Sequence, residues 1–356
     1  MKRQLAHFRH VACLGFAPQT ALVALLDALH SIIPSNFNRF GFCDREFRVT
    51  NAYSENAALY RFFEYYFSEI DGKVDYWPTV SECLRRGLGV GYYLPYQTAA
   101  FYRSSYYHEV ERDLGAYHQL DGTIADRHRV YGNLVMARER AHAFTSAEQR
   151  LLASLLPYFA HALAAPPHLA AGVREQNREL AVTIFDSAGN LHSADAAGIR
   201  ALWMINHQDV AASDIVSKSI AHSALVARLA AQLIAIEREQ VVPPPSTTVR
   251  NAWGSFVLRA ERMFGAAGDA SLFRILIERR QPGLLALLQR MHQLNLTPRQ
   301  QDVCRLLVGG KTQREIGTQL GIRRTTVNEY VQTIYAKLGI RSHHELVQSM
   351  GLMNLD

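Results

Sequence analysis

Hydrophobic and polar positions along this 356-residue chain change rhythm twice, and the changes divide it into three stretches. The first covers residues 1–165. Apolar residues recur at helical spacing over 18–33, an aromatic stretch follows, and Phe144-Thr145-Ser146-Ala147-Glu148 opens a further helix. Leu151, Leu152, Leu155, Leu156 and Phe159 would share one face of it, with Thr145 or Ser146 as its cap. The second stretch, 170–283, is expected to start with a helix. AVTIFDSAGNLHSAD then reads as a hairpin with its turn at 186–190. Helical patterning returns over 195–237, VVPPPSTTVRN reads as a turn, and GSFVLRAERM and SLFRILIERR read as strands. This mixture predicts an α+β region. The third stretch, 284–356, is patterned as helix almost throughout and predicts an all-α domain.

Punctuation within the third stretch is dense enough to place each helix. Thr297 caps a helix with Pro298 at its first position and Val303, Leu306 and Leu307 facing inward; Gly309-Gly310 stops it. Thr312 caps a short helix with Glu315 at the capping-box position, and Gly321 ends it in a tight turn. A longer helix begins near Arg324. Val327, Val331, Ile334 and Leu338 line its inner face, while Asn328, Glu329, Gln332 and Thr333 point away. Gly339 and Ser342 precede a last helix. A short helix joined through a glycine turn to a longer one with a polar face is how a helix-turn-helix offers its recognition helix to the DNA major groove.

Charge strengthens that reading. The chain carries a net +6, and residues 290–356 hold nine Lys or Arg against five acids, so +4 lies in the last fifth. A basic excess of this kind suits a polyanionic partner.

The residues Leu296-Thr297-Pro298-Arg299, Gly310-Lys311, Glu315-Ile316, Leu320-Gly321-Ile322, Thr326-Val327 and Lys337-Leu338-Gly339-Ile340 closely resemble the LuxR-type helix-turn-helix family. The resemblance implies four helices, with the third in the major groove and the fourth commonly used for dimerisation. It implies base-facing roles for Asn328, Glu329 and Gln332, and phosphate contacts from Lys311, Thr312, Arg314, Thr326 and Lys337. Arg323 and Arg324 would add backbone contacts. Leu346, Val347 and Met350 are candidate dimer residues, some of which could instead pack on the preceding region. The chain departs from the family where Gln300 replaces a Glu, Cys304 a Leu, and Arg323 a small capping residue. The Gln300 change would cost an internal ion pair, and Glu329 would either read a cytosine amino group or be solvated.

The preceding stretches carry weaker resemblances. Residues 1–165 resemble a GAF-type sensor domain through YGNLVMARERAHAFTSAEQRLLASLLPYFAHAL, and 170–283 resemble a PAS-type fold through the hairpin and the late strands. Phe40–Tyr117 holds twelve of the sixteen Tyr, seven Phe and one Trp. Such a density builds either an ordinary core or a pocket for a small-molecule effector. The Trp, Tyr and Asp-Pro spacing of acyl-homoserine lactone receptors is missing, since Trp77 meets Pro78 without that Asp. The acidic pair, later Asp and Lys of a phosphorylated receiver are missing too.

Composition excludes more than it identifies. A hydrophobic share of 48% with 20% charged residues is that of a soluble globular protein. No apolar run of about twenty residues predicts a membrane span, and His7, Arg9 and His10 interrupt any export signal, so a cytoplasmic protein is expected. Cys13, Cys43, Cys83 and Cys304 lie far apart and read as reduced, buried thiols. The histidines at 7, 10, 343 and 344 read as surface or packing residues, so neither metal nor cofactor is expected. No nucleophile with a base can be assembled, so an enzyme is not expected. The chain therefore reads as a sequence-specific transcription regulator: a homodimer on double-stranded DNA, controlled by a ligand or partner at its sensor region and acting on RNA polymerase. The alternative is an interaction protein whose helix-turn-helix is impaired in DNA binding.

Overall fold

A computed structural model describes residues 1–74, 79–87, 89–92, 99–139, 143–164, 175–208, 220, 222–263, 272–294 and 296–349. Residues 1–169 with 179–279 form one compact unit, and 170–178 with 280–356 form another.

In the first unit two five-stranded sheets are built on the same plan. Residues 2–12, read above only as an interrupted export signal, form α1 (Lys2–Ala12), and α2 (Pro18–Leu29) follows. Then come β1 (Phe37–Cys43) and β2 (Val49–Ser54). The aromatic stretch makes a 3-10 turn at Ala57–Phe62, α3 (Phe63–Tyr65), a π turn at Tyr66–Ile70 and α4 (Val80–Arg86). After β3 (Val90–Tyr92) and α5 (Ala99–Arg103) come a π turn at Tyr107–Glu111, β4 (His118–Ala125), β5 (Val130–Arg138) and α6 (Ser146–Ala164). These strands lie antiparallel in the order β2-β1-β5-β4-β3.

The second sheet takes β6 (Glu175–Asp186), β7 (Leu191–Ala194), β8 (Ser246–Asn251), β9 (Gly254–Arg262) and β10 (Leu272–Pro282). Its order is β7-β6-β10-β9-β8. Each sheet therefore sets its second strand beside its first, its fifth beside the first, and its fourth and third beyond. Helices α7 (Ala196–Asn206) and α8 (Ala224–Glu237) fall between β7 and β8, as the aromatic turns fall between β2 and β3.

Two expectations are corrected here. The helix expected at the start of the second stretch is strand, since β6 begins at Glu175, and Ser246–Asn251, read as turn, forms β8. In Ser246–Asn251 exposed and half-buried residues alternate, which is the pattern of an edge strand with little apolar signal for a sequence to show.

The aromatic stretch supplies a core. Leu59, Tyr60, Phe63, Tyr66, Phe101 and Tyr106 are buried in one cluster that also takes Trp203 from α7. The Trp203 ring lies 5.1 Å from both Tyr60 and Phe63, and its indole N–H donates to the Ala52 carbonyl at 2.7 Å. Trp253, in the β8–β9 turn, stacks on Tyr53 and donates to the His207 carbonyl at 2.9 Å. At the start of α6, Thr145 and Glu148 exchange capping bonds, while Leu152, Leu155, Leu156 and Phe159 are buried.

The four cysteines are free. Cys83 and Cys304 are buried as expected, but Cys43 is half-buried and Cys13 exposed, because Cys13 stands at the end of α1 beyond its packed face. Among the described residues no group of His, Cys, Asp and Glu is placed to hold a metal ion. No described helix is long and apolar enough to cross a membrane.

Candidate nucleic-acid interface

Among its described residues the second unit contains five helices: α9 (Gly283–Gln293), α10 (Pro298–Val308), α11 (Gln313–Leu320), α12 (Arg324–Leu338) and α13 (His343–Ser349). Each of the stops and starts read from the sequence has a physical counterpart. The Thr297 hydroxyl accepts from the Gln300 N–H at 3.3 Å while the Gln300 side chain accepts from the Thr297 N–H at 3.0 Å. Thr312 and Glu315 make the same reciprocal pair, at 2.8 and 3.3 Å. Gly321 (φ 64°) and Gly339 (φ 66°) are left-handed caps that end α11 and α12, a conformation costly for residues with a Cβ.

Helices α10, α11 and α12 pack together through Val303, Leu307, Ile316, Val327, Val331 and Ile334, all buried. Burial of that stripe orients the rest of α12. Thr325, Asn328, Glu329, Gln332 and Ala336, three and four residues apart, are exposed together on its opposite face. The structure thus brings the three base-facing candidates, Asn328, Glu329 and Gln332, onto one solvent-facing ridge. Asn328 accepts a long 3.5 Å bond from Gln313 of α11.

The phosphate candidates divide by their partners. Arg314, Arg323 and Arg324 are exposed, and Thr326 is half-buried. Arg323 occupies the N-cap of α12 without a side-chain cap bond. The first N–H groups of that helix are therefore left to water or an anion, next to two guanidinium groups. Lys311 is exposed with its ammonium 3.8 Å from Glu315, a surface pair that water screens heavily. The Thr312 hydroxyl and N–H are both engaged by Glu315 in the cap, so Thr312 offers a phosphate no unoccupied donor in this conformation. Lys337 donates to the Gln300 side chain at 2.9 Å. The ion pair expected to be lost at Gln300 is thus replaced by a charge-assisted hydrogen bond within the domain.

The dimer candidates separate as well. Leu346 is fully buried, in a helix that packs on α10 and α12, so its side chain belongs to the core of its own domain. Val347 is half-buried, and Met350 lies outside the described residues. His343 Nε2 donates to the Leu307 carbonyl at 2.8 Å, a packing role, and His344 is exposed. Sequence reasoning missed Arg299, which donates to the Leu320 carbonyl at 3.0 Å and ties α10 to the end of α11. Periodicity carries no signal for such a bond, because Arg299 sits on the polar face.

Two acidic residues of the domain, Glu315 and Glu345, hold structure. The Glu315 carboxyl is kept below its ordinary range by the Thr312 backbone and hydroxyl, and Glu345 by the Arg341 N–H and Ser342. Both remain charged caps at neutral pH.

Comparison with known proteins agrees with this geometry. Residues 294–350 match the family model GerE, described as bacterial regulatory proteins of the luxR family. A probable transcriptional regulator, ycf29 of Cyanophora paradoxa, is 31% identical over 85 residues, which are 24% of this chain and 40% of that protein. The match thus spans less than half of that relative's length. Among solved structures, Escherichia coli SdiA is 12% identical with a TM-score of 0.30, over 94% of this chain and 92% of that one. A Vibrio cholerae VqmA dimer is 18% identical with a TM-score of 0.18, over 48% and 81%. The capped helices, the glycine turn and the family match over the same residues establish 294–350 as a LuxR-family helix-turn-helix domain that follows an α+β region.

Proposed function

We propose that the chain is a sequence-specific transcription regulator in which α12 enters the major groove of double-stranded DNA. The observation that carries this reading is the exposed ridge of Asn328, Glu329 and Gln332, on a helix whose other face is buried and whose uncapped N-terminus lies beside Arg323 and Arg324. Base edges are read by Asn328, Gln332 and Glu329. Arg314, Arg323, Arg324, Thr326 and Lys311 hold phosphates and set the register; Thr312 and Lys337 add contacts if they leave Glu315 and Gln300.

One small helical domain makes few phosphate contacts, so the working form is a homodimer on two half-sites, with Val347 and Met350 as the remaining interface candidates. Residues 1–165 as a GAF-like module and 170–283 as a PAS-like module would form the sensor, controlled by a small molecule or partner, with 284–356 as the effector acting on transcription by RNA polymerase in the cytoplasm. This is regulation by binding, with no catalytic step.

The test is selection of full-length protein on a random DNA pool across salt concentrations, with sequencing of the retained fraction. Enrichment of a palindrome with half-sites about 10 base pairs apart is the expected result. Retention without any enriched sequence would remove specific regulation, and absence of retention would favour an interaction protein with an impaired helix-turn-helix.

A further inference from the structure

The second sheet carries apolar residues on both faces, and one of those faces meets solvent. Phe185 of β6, Phe256 and Leu258 of β9, and Phe273, Ile275 and Ile277 of β10 are fully buried on one side. Helix α8 packs against β9 and buries Val226, Leu229 and Ala230. Successive strand residues point to opposite faces, so Leu180, Val182 and Ile184 of β6, Leu276 of β10 and Val257 of β9 fall on the other side. Leu180 is 61% exposed there and the other four are half-buried. In the sequence, Leu180–Phe185 is apolar at every position except Thr183, the pattern of a strand covered on both faces rather than on one.

Charges on this face come in opposite pairs. Arg259 of β9 lies 3.7 Å from Glu278 of β10, and Arg274 of β10 pairs with Glu261 of β9. Arg250 on β8 and Asp186 on β6 add one charge of each sign. An apolar stripe bordered by polar residues on a folded domain marks an interaction surface. A polyanion, or a partner of one sign, would leave half of these charges opposed. A second copy would not, because a twofold axis sets the same patch against itself and can place arginines of one chain against glutamates of the other. The extent of the face agrees: five strands about 4.8 Å apart, the long ones rising about 3.3 Å per residue, span roughly 24 by 25 Å, on the order of 600 Å², close to the ~800 Å² per partner of a stable dimer.

We propose that the solvent-facing side of the second sheet is the homodimer interface of this chain, packed against the same face of a second copy. The helix-turn-helix leaves room for such an interface, since Leu346, the central dimer candidate of that domain, belongs to its own core. The inference rests on the regulator reading for the use of the dimer, whereas the interface itself rests on the sheet.

The oligomeric state of the full-length chain, without DNA, is measured by analytical ultracentrifugation. The parent should dimerise, and Leu180→Arg should weaken the dimer at least tenfold, because the dimer would bury the new charge without a partner. Leu180 is mostly exposed within one chain, so the variant should keep its fold, which far-UV circular dichroism checks. Ile236→Arg changes another exposed apolar side chain, on α8 and outside the face, and should leave the dimer unchanged. In a Cys13→Ser background, which removes the exposed cysteine, a short thiol crosslinker should join Leu276→Cys chains, at the middle of the central strand, and not Ile236→Cys chains.

A monomeric parent, a dimer that survives Leu180→Arg, an equal loss in Ile236→Arg, or crosslinking at Ile236→Cys but not at Leu276→Cys would each overturn the interface. Selection on the random DNA pool is run in parallel. A palindrome enriched by a chain whose dimer is indifferent to Leu180→Arg removes the interface and leaves the regulator; a dimer that Leu180→Arg dissociates, with no DNA retained by the parent, removes the regulator and leaves the interface.

Discussion

At the scale of single residues, the proposed interface separates contacts that would give affinity from those that would give preference. Lys311 and Arg314 are exposed and lie outside the α12 ridge, so Lys311→Ala or Arg314→Ala should weaken binding to every sequence and lower the salt slope by about one unit each. Unchanged slopes in titrations from low to high salt would remove their phosphate roles. Gln332 stands on the ridge itself. Gln332→Ala should cost roughly 1–3 kcal/mol on the selected site and little on random DNA, and a uniform loss on both would contradict base reading. None of the three substitutions should disturb folding, since all three side chains reach solvent.

Helices α11 and α13 depend on their caps, because a helix of eight or seven residues has too few internal bonds to stand alone. Thr312→Ala should destabilise the domain by about 1 kcal/mol in chemical denaturation. Acid should act on the same bonds. The Glu315 and Glu345 carboxyls titrate below their ordinary range when folded, so their contribution is complete above the unfolded carboxylate value, about 4.3, and is lost as pH falls through the lower folded value. Amide exchange in α11 and α13 should therefore accelerate below about pH 4. Replacing Glu315 by Gln should flatten that response in α11, and an unchanged acid profile would show that the carboxylate is not what holds the cap.

Across the whole molecule, the first unit is held together by side chains that reach from one stretch of sequence into another. Trp203 belongs to α7 yet completes the aromatic cluster between β2 and β4, and Trp253 closes against Tyr53 and His207. Trp203→Ala should cost about 3–5 kcal/mol and lower the unfolding temperature of the first unit. Because 1–169 and 179–279 are one compact unit, both sheets should lose protection from exchange together. Loss confined to the second sheet would show that the two sheets unfold independently. The domain of residues 294–350 should keep its own transition.

The sequence by itself determined the helix-turn-helix almost residue by residue. Its caps, glycine turns and apolar stripe are local, set by backbone hydrogen bonds within four residues and by helical spacing, and Thr297, Thr312, Gly321 and Gly339 announce them without reference to the rest of the chain. Strands at the hairpin of β6 and β7, at β9 and at β10 were legible for the same reason. What the tertiary structure alone decided is non-local. Leu346 alternates no differently from a surface dimer residue until α13 is seen packed on α10 and α12. Lys337 finds Gln300 across 37 positions of sequence. Asn133, Asp121, Arg39 and Glu111 read as scattered polar residues until strand register gathers three of them on one buried face and a turn brings the fourth. Register and packing are set by the sum of many weak contacts between distant segments, and no short window of sequence contains that sum.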